Sequence, residues 1–299
     1  MWSLAKQKGV DVLIRRDDLI DKHLSGNKFY KLFYNFHAAK DGGHTQILSF
    51  GGAYSNHIYA LAAAAKIVGF KAIGVIRGER PKQLSPTLKD AEAWGMKLHF
   101  VSRAQYRERA FLELLEDLKK QYGDFFEIPE GGANYYGIKG TKVLGEAIYQ
   151  QVKCEYTSVC LASGTANTLA GVAAGLGQKA DESLAGAVLG FSVLKESRDI
   201  ESSVGHQIIM HQKAINSDAA NWRLISGLHG GGYAKKLPAN LHQFMLGFER
   251  EFKLQLDPVY TVKMCWGVQQ LLVQNYWPRG SRLILVHTGG LQGRRGFNL

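Results

Sequence analysis

The sequence predicts an α/β fold with open, mostly parallel twisted sheets flanked by helices. Three observations lead there. Short runs rich in β-formers alternate with longer runs whose apolar residues recur at helical spacing. Glycine-containing turns stand where several of these runs end, after Phe50, Ala162 and His287. The 299 residues, 45% hydrophobic and 21% charged, suffice to bury the core of one large or two linked domains.

In chain order, Val10 to Ile14 reads as the first strand and Asn27 to Lys40 as the first helix, with Phe29, Leu32, Phe33 and Phe36 as its apolar face. Gln46 to Phe50 is a second strand, Ser55 to Val68 an alanine-rich helix, and Lys71 to Ile76 and Lys97 to Val101 two more strands. Helices follow at Gln105 to Tyr122 and Gly140 to Gln151. The strand Ser158 to Ala162 precedes a helix at Thr168 to Leu176, and the strand Gly186 to Phe191 comes next. A helix from Thr261 to Val273 and a buried strand from Arg282 to His287 complete the pattern. No Pro/Ser-rich linker, low-complexity tract or repeat separates two halves, so any two domains share chain crossings.

Composition narrows the function classes. The formal charge of +11 is spread over short pairs such as Arg15-Arg16, Lys119-Lys120, Lys235-Lys236 and Arg294-Arg295, with no basic arm. This predicts attraction for anionic ligands rather than a nucleic-acid partner. Cys154, Cys160 and Cys265 form no Cys-x-x-Cys pair, which predicts a reducing compartment, the cytoplasm. The amino terminus lacks an apolar leader, and the stretch from Ala60 to Ile76 is broken by Lys66 and Lys71, so no membrane span is expected. His206 and His211 lack metalloprotease spacing, and no metal site is expected.

Four turns carry residues suited to chemistry. Lys28, in Ser25-Gly26-Asn27-Lys28, opens a helix. A lysine there is ordinarily solvated, but one shielded by apolar neighbours has a lowered pKa and a free amine that attacks carbonyls. Gly51-Gly52 leads to Tyr54, Ser55, Asn56 and His57. Ser55 and Asn56 suit a helix cap, and the same helix start offers amides and a positive dipole end to an anion. Ser163, Gly164, Thr165, Ala166, Asn167 and Thr168 form a small-residue turn suited to phosphate, matching neither the Walker pattern nor the dinucleotide fingerprint. Thr288, delivered by the last strand to Gly289-Gly290, is a turn hydroxyl or a partner for a ring nitrogen. An amine, a phosphate turn and a neutral hydroxyl together suit an anionic aldehyde cofactor, pyridoxal 5'-phosphate.

Five ordered motifs then resemble the D-cysteine desulfhydrase and 1-aminocyclopropane-1-carboxylate (ACC) deaminase family, within the tryptophan-synthase-β-like, fold-type II pyridoxal-phosphate enzymes. They are Arg16-Asp17-Asp18-Leu19, Ser25-Gly26-Asn27-Lys28, Gly51-Gly52 with Ser55-Asn56-His57, Asp257-Pro258-Val259-Tyr260-Thr261, and His287-Thr288-Gly289-Gly290. The resemblance implies a larger cofactor-binding domain from residues 1–30 and 140–299 and a smaller α/β domain over 31–139. It assigns Lys28 to covalent attachment of the cofactor, Asn56 to its phenolic oxygen, residues 163–168 to its phosphate and Thr288 to its ring nitrogen. Ser55, Tyr260 and Tyr233 become catalytic candidates, with Ser55, His57 and Tyr54 on the substrate side.

The implied reaction is elimination and deamination of a small amino acid, with D-cysteine ahead of ACC, in a homodimer. Many ACC deaminases of the family carry Glu and Gln where this chain has Thr261 and His57. A β-replacement synthase and a non-catalytic pyridoxal-phosphate-binding protein are the other readings. Tyr30, Tyr54 and Ala166-Asn167 depart from the family's commoner residues.

Overall fold

The computed structural model describes residues 2–107, 111–152, 156–177, 187–195, 198–214, 221–233, 236–297 and 299. Cys154, Lys235 and Gly186 lie outside the described residues. The strands are β1 (Asp11–Arg15), β2 (Gln46–Gly51), β3 (Lys71–Arg77), β4 (Lys97–Val101), β5 (Phe126–Ile128), β6 (Ser158–Ser163), β7 (Ala187–Ser192), β8 (Trp222–Ile225) and β9 (Arg282–Val286). The helices are α1 (Ser3–Lys8), α2 (Asn27–Asp41), α3 (Asn56–Val68), α4 (Pro86–Ala93), α5 (Arg103–Arg107), α6 (Phe111–Tyr122), α7 (Tyr135–Val152), α8 (Asn167–Leu176), α9 (Arg198–Ala214), α10 (Ala239–Phe252) and α11 (Thr261–Val273).

All described strand pairs are parallel, in a five-stranded sheet ordered β1-β9-β6-β7-β8 and a four-stranded sheet ordered β4-β3-β2-β5. The expected α/β class is therefore the observed one. Alternation of buried side chains explains why both faces are covered. In β6, Cys160 and Ala162 join one core while Val159 and Leu161 join another; in β9, Leu283 and Leu285 oppose Ile284 and Val286. The smaller sheet repeats this, with Ile47 and Ala72 in one cluster and Leu48, Phe50, Ile73 and Val75 in the other. A parallel strand buried on both faces reads as a continuous apolar run, which is how these strands appear in sequence.

Several sequence expectations need correction. The buried face of α2 is formed by Lys31, Leu32, Asn35, Phe36 and Ala39. Phe33 instead is 46% exposed and packs edge-on and tilted against its helical neighbours Tyr34 and His37. Ser55 precedes α3 as its cap, and His287 lies just past β9. The helix expected from Gln105 to Tyr122 is described as α5 and α6, with residues 108–110 outside the description. Elements absent from the expectation are α1, α4, α9, α10 and the edge strands β5 and β8, the first of which has only three residues.

No helix among the described residues is long and apolar enough to cross a membrane. Cys160 and Cys265 are buried free thiols, each with its pKa pushed up by burial.

Candidate active site

The carboxyl ends of β2, β3, β6 and β9 open on one cleft of about 1110 Å³, where ligands of parallel α/β sheets bind. Lys28 reaches it from the first turn of α2. That helix can start so close to the β9 turn because Gly26 has φ +61° and no Cβ, which would strike the Thr288 carbonyl. Lys28 Nζ donates to Asn27 Oδ1 at 3.2 Å, and Asn27 Nδ2 donates to Thr168 Oγ1 at 2.9 Å. The lysine turn and the small-residue turn are thus tied side by side.

Burial lowers the Lys28 pKa from 10.5 to about 8, with Asp257 pulling the other way. At pH 7 its free-amine fraction is then roughly 300 times that of an ordinary lysine. Capture of an aldehyde reagent by Lys28 in the cofactor-free protein should accordingly rise with a midpoint near pH 8. A midpoint near the ordinary value of 10.5 would contradict this environment. Lys31, one turn on, also lines the cleft; it donates to the Gly131 carbonyl at 3.1 Å, and burial holds it well below its usual range.

On the facing side, Ser55 caps α3 by accepting from the Ile58 amide at 3.2 Å. Its hydroxyl lines the cleft as well, so cap and site coincide. Asn56 is fixed at both ends: Oδ1 accepts from Gln292 Nε2 at 2.6 Å, and Nδ2 stands 3.5 Å from Asp257 Oδ2. Gly290, at φ +88°, makes room, since a Cβ there would collide with Asn56 Nδ2. His57 is buried, with Nε2 2.9 Å from Ser49 Oγ and Nδ1 unpartnered. Burial, reinforced by Lys28 and Lys31, depresses its pKa well below 6.5 and keeps the ring neutral. Tyr54 lies half exposed at the rim, its ring against Gly296.

The turn after β6 supplies Ser163, Gly164, Thr165, Ala166 and Thr168 to the cleft. Ser163 Oγ is buried there with no hydrogen-bond partner among the described residues, and an oxyanion would accept its proton. The amino terminus of α8 adds its positive dipole end. Ala166 adopts φ +61°, so the turn keeps a glycine-like conformation at a cost of about 1 kcal/mol or more. Asn167 stands apart: it does not line the cleft, its amide donates to the Thr165 carbonyl at 2.8 Å, and its buried side-chain amide has no partner. Thr288 borders the cleft from the β9 turn. Its neighbour His287 donates from Nε2 to the Gln255 carbonyl at 2.8 Å and accepts from the Gly289 amide at Nδ1, the neutral arrangement that its lowered pKa requires.

Tyr260 and Tyr233 form a hydroxyl pair at 3.2 Å, and burial raises the pKa of Tyr260 well above its usual value; Tyr233 is half exposed at the cleft. Gly164 faces them, with Tyr233 Oη 3.1 Å from where its Cβ would stand. Two residues that sequence reasoning did not assign organise this corner. Asp257 is fully buried, and its Oδ1 accepts from the Val259 and Tyr260 amides at 3.1 and 2.5 Å. Burial raises its pKa to about 6. Lys263, also fully buried, donates to the Gly232 carbonyl at 2.5 Å and so fixes the backbone next to Tyr233. Among the described residues no group of three or more His, Cys, Asp or Glu side chains could hold a metal ion.

A buried amine of depressed pKa beside an oxyanion-ready turn fits pyridoxal phosphate, and the comparison with known families agrees. Residues 2–289 match the model of the pyridoxal-phosphate dependent enzymes, and the chain belongs to that family. Within it, the chain is similar to the bifunctional mitochondrial D-cysteine desulfhydrase/1-aminocyclopropane-1-carboxylate deaminase of Arabidopsis thaliana, 27% identical over 98% of this chain and 75% of the relative. It is equally similar to the D-cysteine desulfhydrase of Klebsiella pneumoniae, 27% identical over 96% of this chain and 89% of that one. The crystal structure of an ACC deaminase homologue superposes with a TM-score of 0.82 at 26% identity, covering 97% of this chain and 87% of the other. The fold is that of the fold-type II enzymes.

Proposed function

We propose that this protein is a lyase that eliminates the β-substituent of a small amino acid and deaminates the product, with D-cysteine as the model substrate giving pyruvate, sulfide and ammonia. The observation that carries this reading is the placing of Lys28, half-buried and with its pKa lowered to about 8, and an uncharged Thr288 on the wall of one cleft. Bound pyridoxal phosphate supplies an electron sink for the pair left when the Cα–H bond breaks.

The chain's own residues divide the remaining work. Lys28 would attach the cofactor and, once freed, would move the Cα proton through its Nζ. Ser163, Gly164, Thr165 and Thr168 would hold the phosphate near the α8 amino terminus, with Ala166 shaping the turn. Asn56 would serve the phenolic oxygen, and Thr288, carrying no charge, would leave the ring nitrogen less protonated than a carboxylate would. Ser55 and the α3 amides take the substrate carboxylate, with His57 and Tyr54 bounding that side. Tyr260 donates to the Tyr233 hydroxyl, which leaves the Tyr233 proton as the donor toward the departing group.

ACC deaminase activity is the nearest alternative, supported by the likeness to the ACC deaminase homologue. Against it stands Thr261, where many ACC deaminases carry Glu. Its hydroxyl is fully buried, accepts from the Asp257 amide at 2.7 Å and offers nothing to the cleft. Release of sulfide, ammonia and keto acid should be compared for both enantiomers of cysteine and serine and for ACC. Sulfide from D-cysteine is the expected result; ammonia from ACC without it would reverse the ranking. New amino acids formed on adding nucleophiles would indicate a synthase. The reading extends to a cytoplasmic homodimer whose smaller lobe, residues 31–139, is built on the four-stranded sheet.

A further inference from the structure

Arg77, the last residue of β3, is set at the cleft without an ionic partner among the described residues. Its Nη2 lies 3.5 Å from where a Cβ on Gly52 would stand, against the turn that leads to Ser55. The guanidinium also sits over the Tyr106 ring, 5.6 Å from its centroid, which holds the flat group in one orientation.

Several other arginines, though not all, are committed to carboxylates. Arg15, Arg16, Arg80, Arg294 and Arg295 each pair with a carboxylate, from Asp17, Asp18, Glu92, Glu249 and Asp90 respectively. Among the described residues, no carboxylate lies within 4.0 Å of Arg77. Glu79 and Glu130 line the same cleft but do not reach it, and Arg103 adds a second positive charge at the mouth. Arg77, Glu130, Tyr233 and Tyr260 line the same cleft, and Glu130 and Arg77 act on the Tyr233 hydroxyl in opposite directions.

We propose that Arg77 is a specificity residue that binds a second anionic group, carried on the side chain of the amino-acid substrate. The assignment rests on the lyase reading for its chemistry but not for its binding. The preferred substrates then end in a carboxylate, phosphate or sulfonate, and cysteine as its thiolate is the shortest member of the class. With a phosphate ester on Cβ, breaking the Cα–H bond supplies the electron pair of the Cα=Cβ bond, and the Cβ–O bond breaks with its pair leaving on phosphate. Water then releases ammonium and the keto acid, with no oxidant or reductant needed. Arg77 would neutralise charge on the departing group, where a charge-assisted, two-pronged contact is strongest.

Aspartate and asparagine have the same shape and differ in charge, so calorimetric titration of the cofactor-loaded enzyme with both enantiomers of each isolates the effect. Aspartate should bind about tenfold tighter or more, the size of one charge-assisted hydrogen bond. Arg77→Gln should abolish that preference and lower by a similar factor the ratio of kcat/KM for phosphoserine over serine. Equal affinity for the two ligands in the unmodified enzyme, or a preference that survives Arg77→Gln, overturns the proposal. An aspartate preference lost in Arg77→Gln without elimination from any amino acid would support the binding assignment while removing the lyase reading.

Discussion

Lys28→Ala is expected to reduce turnover to background while the thermal unfolding midpoint of the cofactor-free protein falls little or rises. The magnitude follows from two roles lost together, attachment of the cofactor and movement of the Cα proton. Loss of general acid–base catalysis alone is worth about 10²–10⁴-fold. Stability should not suffer, because a buried amine with its pKa near 8 is a net cost to the fold below that pH. The sign can be checked by titration. The unfolded chain holds the Lys28 proton up to about 10.5 and the folded chain only to about 8, so this group's penalty is full below pH 8 and is relieved as pH rises toward 10.5. Lys31 is not expected to take over, since its amine is committed to the Gly131 carbonyl. Substantial turnover by Lys28→Ala would contradict the assignment.

Asp257→Ala should be the most damaging change outside Lys28. The Val259 and Tyr260 amides lose their acceptor, and Asn56 loses its contact with the carboxylate. Two buried donors left unmet cost about 3 kcal/mol or more, visible in denaturant unfolding. Turnover should fall by about 100-fold, because small displacements of catalytic groups are expensive. Asp257→Asn separates structure from charge. It retains an acceptor for the two amides but removes the charge that raises the Lys28 pKa, so the aldehyde-capture midpoint should move below 8. A midpoint unmoved, with turnover intact, would show that Asp257 does not act on Lys28.

What the sequence made legible follows from where the chemistry sits. Ser55, Ser163 and Thr288 each stand within a few residues of a glycine just past a strand's carboxyl end, and Lys28 lies two residues after Gly26; parallel sheets gather those strand ends into one place. The cleft does bring these four together. Asp257 was harder to see, because an aspartate before proline reads as turn chemistry and only burial reveals its reach to Asn56. Lys31 and Lys263 were invisible for a related reason: lysines are almost never fully buried, so sequence assigns them to solvent. The signal for Lys263 was its place one helical turn after Tyr260 on an otherwise buried α11. Phe33 misled in the opposite sense, an aromatic on the exposed side of α2. The strands β5 and β8 escaped because short edge strands carry too few residues for a periodic pattern.

Lys28 Nζ is the amine proposed to carry the cofactor. Borohydride treatment of the cofactor-loaded protein should abolish its visible absorbance and leave a stable mass increment, and peptide mapping should find that increment on Lys28. A label on Lys31, Lys263 or a surface lysine, with Lys28 unmodified, would contradict the account.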